Sequence, residues 1–363
     1  MSAMAMRERM LALVQGREHD RVPFVQYSGL AAPDDEAWSV VGRENMGLLR
    51  WTSIHRIGTP RCRFEREDIV RDGKKGFRQT LFTPEGQLFE ERLIEPAFGT
   101  SAAACHYVKE PEDYRILMAY FRDIVVRKDL TDYLETVKAL GDDGLPHTAL
   151  PRTPYQQLWV QWVDIRDLTV HLAEHAGLME EVIALMTEVQ RRIFDVACEA
   201  VREVAVPYLD FPDNITAPMI GEAYFRTYCV PAYNELAGML EETDKDIPVF
   251  VHMDGDLKPL WHAIADSRVR GLDSMSPPPD NDTSVAEALA RWPDMRVCIN
   301  FPSSVHLEPP DAIYQRTMQI LEEGGRSQRL QIQISENVPP GRWRVSYPQI
   351  TQAIADSAEK TRT

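Results

Sequence analysis

Ile247-Pro248-Val249-Phe250-Val251-His252-Met253-Asp254-Gly255-Asp256 is an apolar run that ends in one histidine and two carboxylates. Residues 248–252 read as a buried strand, rich in β-branched and aromatic side chains, and a helical pattern over 257–265 begins just beyond it. His252 and Asp254 therefore stand where a strand hands over to a helix. In a barrel of parallel strands that place is the C-terminal mouth, where active sites are built. Positions i and i+2 of an extended segment project to one side, so the imidazole and the Asp254 carboxylate converge on one ligand or metal ion. The structural alternative is that Asp254 or Asp256 caps the next helix and His252 is a hydrogen-bonded core histidine.

Working outward, similar strands recur on both sides of this run. Phe24–Tyr27, 147–150 and 206–210 lie upstream, and Gly271–Met275, Arg296–Asn300 and 330–335 lie downstream, with helical patterns between them. That makes seven readable strands, and an eighth is expected between residues 54 and 70; residues 30–58 read as irregular with helical stretches around Trp38 and Leu48. The segment 62–94 alternates in polarity and is interrupted by the turn signals Asp72-Gly73 and Glu85-Gly86, the pattern of antiparallel hairpins inserted into an alternating fold. Repeated βα units without a Gly-rich fingerprint after the first strand predict an α/β fold, a (β/α)8 TIM barrel with an N-terminal helical segment and a β-hairpin insertion. The pattern reads as a single domain over 1–363, with no linker.

Composition narrows the function. With 44% hydrophobic and 26% charged residues the 363-residue chain has the make-up of a globular protein, and no run approaches the roughly 20 apolar residues that cross a bilayer. The first ten residues mix both charge signs and run into a helix, unlike a signal peptide, so a cytoplasmic location is expected and no membrane role. Five scattered cysteines read as free thiols. A net charge of -16 argues against nucleic acid, and no phosphate-cradling Gly-rich loop is present. A small-molecule substrate, or another protein, is the expected partner, and a homodimer is compatible with this reading.

The C-terminal strand ends collect Tyr27, Asp210 with Asp213 and Asn214, His252 with Asp254, Ser274, Asn300 with Ser303 and Ser304, and Glu336 with Asn337. In a barrel these converge on one pocket. Asp210, Tyr27 and Asn300 are the expected catalytic residues, and Asp213, Asn214 and Ser274 the expected substrate-binding ones. His252, Asp254 and Glu336 have the composition of a three-ligand divalent-metal site, suited to zinc and equally to iron(II) or manganese. Without metal, the same carboxylates can act as general acid and base or hold a cationic substrate. Trp159, Trp162, Trp261 and Trp292 read as helix-packing residues.

The opening Arg7…Met10-Leu11-Ala12-Leu13-Val14-Gln15-Gly16 with Asp20-Arg21-Val22-Pro23, the hairpin Thr83-Pro84-Glu85-Gly86, Asp210, His252-Met253-Asp254-Gly255 and Asn300 together resemble the uroporphyrinogen decarboxylase superfamily, which includes corrinoid-dependent methyltransferases. In the decarboxylases the first strand runs into an arginine-rich segment that grips substrate carboxylates, whereas this chain reads Pro23-Phe24-Val25-Gln26-Tyr27-Ser28-Gly29. In the methyltransferase branch a His-x-Cys pair and a later Cys bind zinc. His252 matches that histidine, Asp254 stands at the first Cys position and Glu336 at the second. The resemblance thus implies an enzyme that moves a methyl group between a small methylated substrate and a corrinoid. The corrinoid would sit on a separate protein or be free cobalamin, because no Asp-x-His-x-x-Gly is present. The alternatives are a metal-independent decarboxylase or lyase acting on a small acid, with Asp210 or Glu336 as proton donor, and a non-catalytic binding protein on the same fold.

Overall fold

Eight parallel strands form one sheet in the computed structural model, which describes residues 4–96 and 100–362. They are β1 (Phe24–Tyr27), β2 (Gly47–Thr52), β3 (Gly144–Thr148), β4 (Leu209–Phe211), β5 (Val249–His252), β6 (Gly271–Met275), β7 (Arg296–Asn300) and β8 (Leu330–Ile334). The order is β4-β5-β6-β7-β8-β1-β2-β3, and the sheet closes where Ala149 bridges Asp210 and Leu150 N–H donates to the Asp210 carbonyl at 2.8 Å. This is the (β/α)8 barrel, and its strands belong to one unit of the chain, Met1–Ile54, Leu130–Leu150 and Val201–Thr363.

The second strand corrects the sequence reading. It lies at Gly47–Thr52, in the stretch read as irregular, and not between residues 54 and 70. Its signature is hidden because it opens on a glycine and carries a continuous Leu48-Leu49 pair with no alternation. The glycine is needed there: a Cβ on Gly47 would lie 2.6 Å from the Met6 side chain and 2.7 Å from that of Met10.

Those methionines belong to the helix Met6–Val14, whose Met6, Met10, Leu13 and Val14 pack with Val25, Leu49, Leu145, Tyr208, Phe250 and Cys298. The Arg7 guanidinium donates to the carbonyl of Gly144, the first residue of β3, so the helix crosses the strand starts and plugs that end of the barrel. Each fully buried Met or Leu contributes about 1.5–3 kcal/mol. On β5, Phe250 faces this interior cluster, and the two-residue period points His252 the same way, one pleat nearer the mouth.

The other unit comprises His55–Asp129 and Pro151–Ala200. Its four-stranded antiparallel sheet uses Arg63–Arg71, Lys74–Thr83, Gly86–Glu95 and Thr100–Cys105, so the expected hairpins are present and gain a fourth strand. Asp72 and Gly73 both take positive φ, 51° and 76°, the backbone of a two-residue hairpin turn. His55–Gly58 pairs with Val125–Lys128 in a separate ribbon, which is where part of the 54–70 segment goes. Asp113–Asp123, Ile165–Glu174 and the start of Ala176–Glu203 supply its helices.

Candidate active site

Three strands place a histidine and two carboxylates together inside the barrel. His147 on β3, Asp210 on β4 and Asp273 on β6 are all buried, and each offers a donor atom within 4.8 Å of the others. His147 Nε2 lies 3.3 Å from Asp210 Oδ2 and 3.8 Å from Asp273 Oδ2. His252 joins at the edge, with Nδ1 3.5 Å from Asp273 Oδ2 and Nε2 3.6 Å from Asp254 Oδ2.

The surroundings fix these groups without filling them. Tyr27 donates to Asp273 Oδ2 at 2.5 Å and Gln333 Nε2 to Asp273 Oδ1 at 2.7 Å. His147 Nδ1 is 2.9 Å from the Tyr208 hydroxyl, and the exposed Trp51 ring packs edge-on at 4.2 Å from the imidazole. Yet His147 Nε2, both Asp210 carboxylate oxygens and His252 Nδ1 have no hydrogen-bond partner. The His147–Asp210 and His252–Asp273 approaches are close enough for electrostatic pairing but outside hydrogen-bond geometry.

Asp273 pairs with His252 across β5 and β6 and shares its inward face, and an irregularity follows it. The β6–β7 register shifts between Leu272 and Met275, and Ser274 takes a φ of 71°, rare for a residue with a side chain. Such a bulge ends the regular pleat just after the carboxylate.

Two carboxylates this close share the site unequally. Burial, then the neighbouring Asp273 charge, pushes Asp210 above the ordinary carboxylate range. Burial acts on Asp273 in the same sense but is outweighed by His252, His147 and Tyr27, which hold it low. His252, although desolvation opposes its charge, is raised to about 10 by Asp254 and Asp273. Burial also raises Glu336.

The expected site residues divide. Tyr27, Asp210 and His252 stand in the cluster, and Asp254 lies at its rim, where Asn214 donates to it at 3.0 Å. Asn214 itself takes a φ of 53°. Glu336 accepts from Ser276 at 3.0 Å and Ser303 at 3.1 Å. Asn300 is a brace: its carbonyl oxygen accepts from Ser335 N–H at 3.0 Å and Oγ at 3.2 Å, and the Ser335 hydroxyl meets that of Ser274. Asp213 is buried and accepts from Tyr233 on the helix Val230–Glu241 at 2.5 Å. His252, Asp254 and Glu336, the expected ligand set, are not the cluster whose donor atoms gather among the described residues. Sequence reasoning passed over His147, Asp273, Tyr208 and Gln333.

Comparison with known proteins places this geometry. The family model for uroporphyrinogen decarboxylase (URO-D) matches residues 164–340. Among solved structures, a methyltransferase from Methanosarcina mazei aligns over 99% of this chain and 100% of its own, at 12% identity with a TM-score of 0.56, a likeness of fold. A vitamin-B12 independent methionine synthase from Listeria monocytogenes aligns over 63% of this chain and 69% of its own, at 13% identity and a TM-score of 0.37. No curated protein matches the chain. No helix among the described residues is long and apolar enough to cross a membrane. Residues 164–340, which carry Asp210, His252, Asp254, Asp273 and Glu336, are the part of the chain that matches the URO-D family model.

Proposed function

We propose that the barrel mouth holds a divalent metal and transfers a methyl group from a small methylated donor to a corrinoid, carried on a separate protein or supplied as free cobalamin. The observation that carries the reading is the set of buried, unmatched polar atoms on His147, Asp210 and His252 beside Asp273. Unpaired buried polar atoms of this kind are costly, and a cation satisfies them together. One imidazole and two carboxylates suit zinc, iron(II) or manganese, with a position left for substrate.

In this reading His147, Asp210 and Asp273 hold the metal and His252 stands beside it. Bound there, the metal would polarise the heteroatom that carries the methyl group. The chain's own residues do the rest. Tyr27 and Gln333 fix Asp273, Tyr208 sets the His147 tautomer, and Asp254 with Asn214 lines the substrate side. Glu336, which burial raises above the ordinary carboxylate range, is the proton donor proposed for the heteroatom as the methyl group departs. The ligand set His252, Asp254 and Glu336 is the competing arrangement, and metal content of His147→Ala and Glu336→Gln separates the two.

Charge supports a small donor over a porphyrinogen. Among the described residues no Arg or Lys bonds to any cluster or rim carboxylate, so the guanidinium forks that match a polycarboxylate are missing. The net charge of -16 would repel it further. Purified enzyme should carry about one divalent metal per chain and should methylate cob(I)alamin from a member of a methoxylated and methylated donor panel, read in the cobalamin spectrum, while leaving uroporphyrinogen unchanged. A flat trace across the panel, or porphyrinogen decarboxylation, sinks the proposal. The raised Asp210 favours one second reading, a metal-independent lyase or decarboxylase with Asp210 as proton donor. Full activity after chelation would select it.

A further inference from the structure

The inserted unit has a cavity of its own. It measures about 410 Å³ and every residue lining it belongs to that unit. This is within the range of small-molecule sites. One wall is aromatic: the Trp162 ring lies 5.1 Å from Tyr107, 5.5 Å from Tyr120 and 5.8 Å from Phe121, and Phe64 packs edge-on against Tyr120 at 5.5 Å. Trp162 ends the π-helical turn Leu158–Trp162. Such turns are rare and cluster at functional sites.

Two polar atoms on this wall have nothing to bond. Trp162 Nε1 and Gln190 Oε1 are buried without a hydrogen-bond partner, on side chains 6% and 3% exposed. The Gln190 orientation is not arbitrary, because its Nε2 donates to the Arg152 carbonyl at 3.3 Å, which leaves the oxygen as the free end. An indole N–H can only donate and an amide oxygen can only accept, so the cavity presents one donor and one acceptor of fixed sense. Glu90, Arg92 and Arg152 also line it, with Glu90 and Arg92 3.5 Å apart. A flat ring gains the aromatic wall.

We propose that this cavity binds a planar aromatic molecule bearing a hydrogen-bond acceptor and donor together, of the aromatic carboxamide or lactam class. The acceptor meets Trp162 Nε1–H, the donor meets Gln190 Oε1, and the ring lies against Tyr107 and Tyr120. The site is independent of the chemistry at the barrel mouth.

The test is saturation-transfer NMR on the full chain with benzamide as probe and benzene as the apolar control. Benzamide should bind saturably and about tenfold more tightly than benzene, the scale of one or two matched hydrogen bonds. Trp162→Phe keeps the ring and removes the N–H, and Gln190→Leu removes the acceptor. Each should weaken benzamide about tenfold and leave benzene unchanged, with circular dichroism confirming the fold. Chelation should alter neither titration, which separates this site from the metal reading. If either variant fails to fold, the benzamide-to-benzene ratio in the wild type decides. Equal affinity for the two probes, no saturable benzamide binding, or variants that bind benzamide like the wild type would each overturn the proposal, the first by showing a plain apolar cavity and the second by showing one filled with water.

Discussion

At the foot of the barrel the Arg9 and Asp20 side chains are buried too, 2% and 3% exposed, but their polar atoms are matched. Arg9 Nε and Nη2 fork onto the two Asp20 oxygens at 2.6 and 3.0 Å, Nη2 also reaches the Met4 carbonyl at 2.9 Å, and Met4 N–H returns to Asp20 at 3.1 Å. Burial raises Asp20, yet the Arg9 pairing more than offsets it and holds the carboxyl low. At the mouth Asp210 is fully buried with both oxygens unmatched, and its proton is held more tightly. One pair is closed on itself and fixes the chain's entry into the barrel. The other cluster leaves donor and acceptor atoms on His147, Asp210 and His252 unmatched.

The contrast can be broken first at its closed end, where the effect is largest. Arg9→Met leaves a buried carboxylate alone and should cost about 3–5 kcal/mol of stability, read by urea denaturation, with activity per folded molecule unchanged. Replacing both partners with apolar residues should recover much of that loss. A single variant as stable as the wild type would mean the fork contributes nothing.

At the open end the loss should be of function. Asp210→Asn keeps the shape, removes a charged metal donor, and should lower metal content and cut turnover about 100-fold, equivalent to ~2.7 kcal/mol of barrier. The fold should survive, since no hydrogen bond to the Asp210 side chain is lost. Wild-type turnover would return Asp210 to a structural role.

A pH series sharpens the same contrast without mutating the foot. A group raised on folding contributes stability that is present below its unfolded pKa and lost as pH rises through the folded value. Asp210 is raised from the ordinary carboxylate range, and His252 is raised to about 10. Metal-free protein should therefore lose stability as pH climbs from near 4 toward neutrality through Asp210, and further toward 10 through His252. The Asp210 part is of order 1–2 kcal/mol, kept below the simple conversion because its neighbour titrates with it. Melting of the wild type beside Asp210→Asn between pH 4 and 7 checks this: the variant should be flatter. Parallel curves would remove Asp210 from the account.

How much of this was written in the sequence depends on where the information lies. The β5 run and its His252 were legible because a buried strand that stops in polar residues is a local pattern. Seven strands were found the same way, and β2 was not, because Gly47 is explained by Met6 and Met10, which lie far from it in the chain. At β6 the strand end pointed to Ser274, while the inward residue is Asp273, which faces His252 across the sheet, and a register between strands has no local signature. Asp273 still carried a clue, as a carboxylate inside an otherwise apolar strand. His147 was counted as a strand residue and not as a donor, since its partners come from β4 and β6. The matching of Arg9 with Asp20 is likewise invisible until the helix is docked.

The smallest effect tests whether the open cluster is held in readiness by its neighbours. Tyr208 lies 2.9 Å from His147 Nδ1. For His147 Nε2 to present a lone pair to a metal, the ring proton must sit on Nδ1 and the Tyr208 oxygen must accept it. Tyr208→Phe removes that acceptor yet keeps the ring that packs on Phe250 at 4.8 Å between centroids, so the fold should change little. Metal affinity should fall about tenfold, ~1.4 kcal/mol, at the low end for lost outer partners of a histidine ligand. Tyr314→Phe, which removes a hydroxyl that donates to Asp356 at 2.7 Å, is the control and should leave affinity unchanged. Competition with a chromophoric chelator measures both. If Tyr208→Phe binds metal as the wild type does, either the imidazole is not a ligand or its tautomer is set without Tyr208, and metal content of His147→Ala tells these apart.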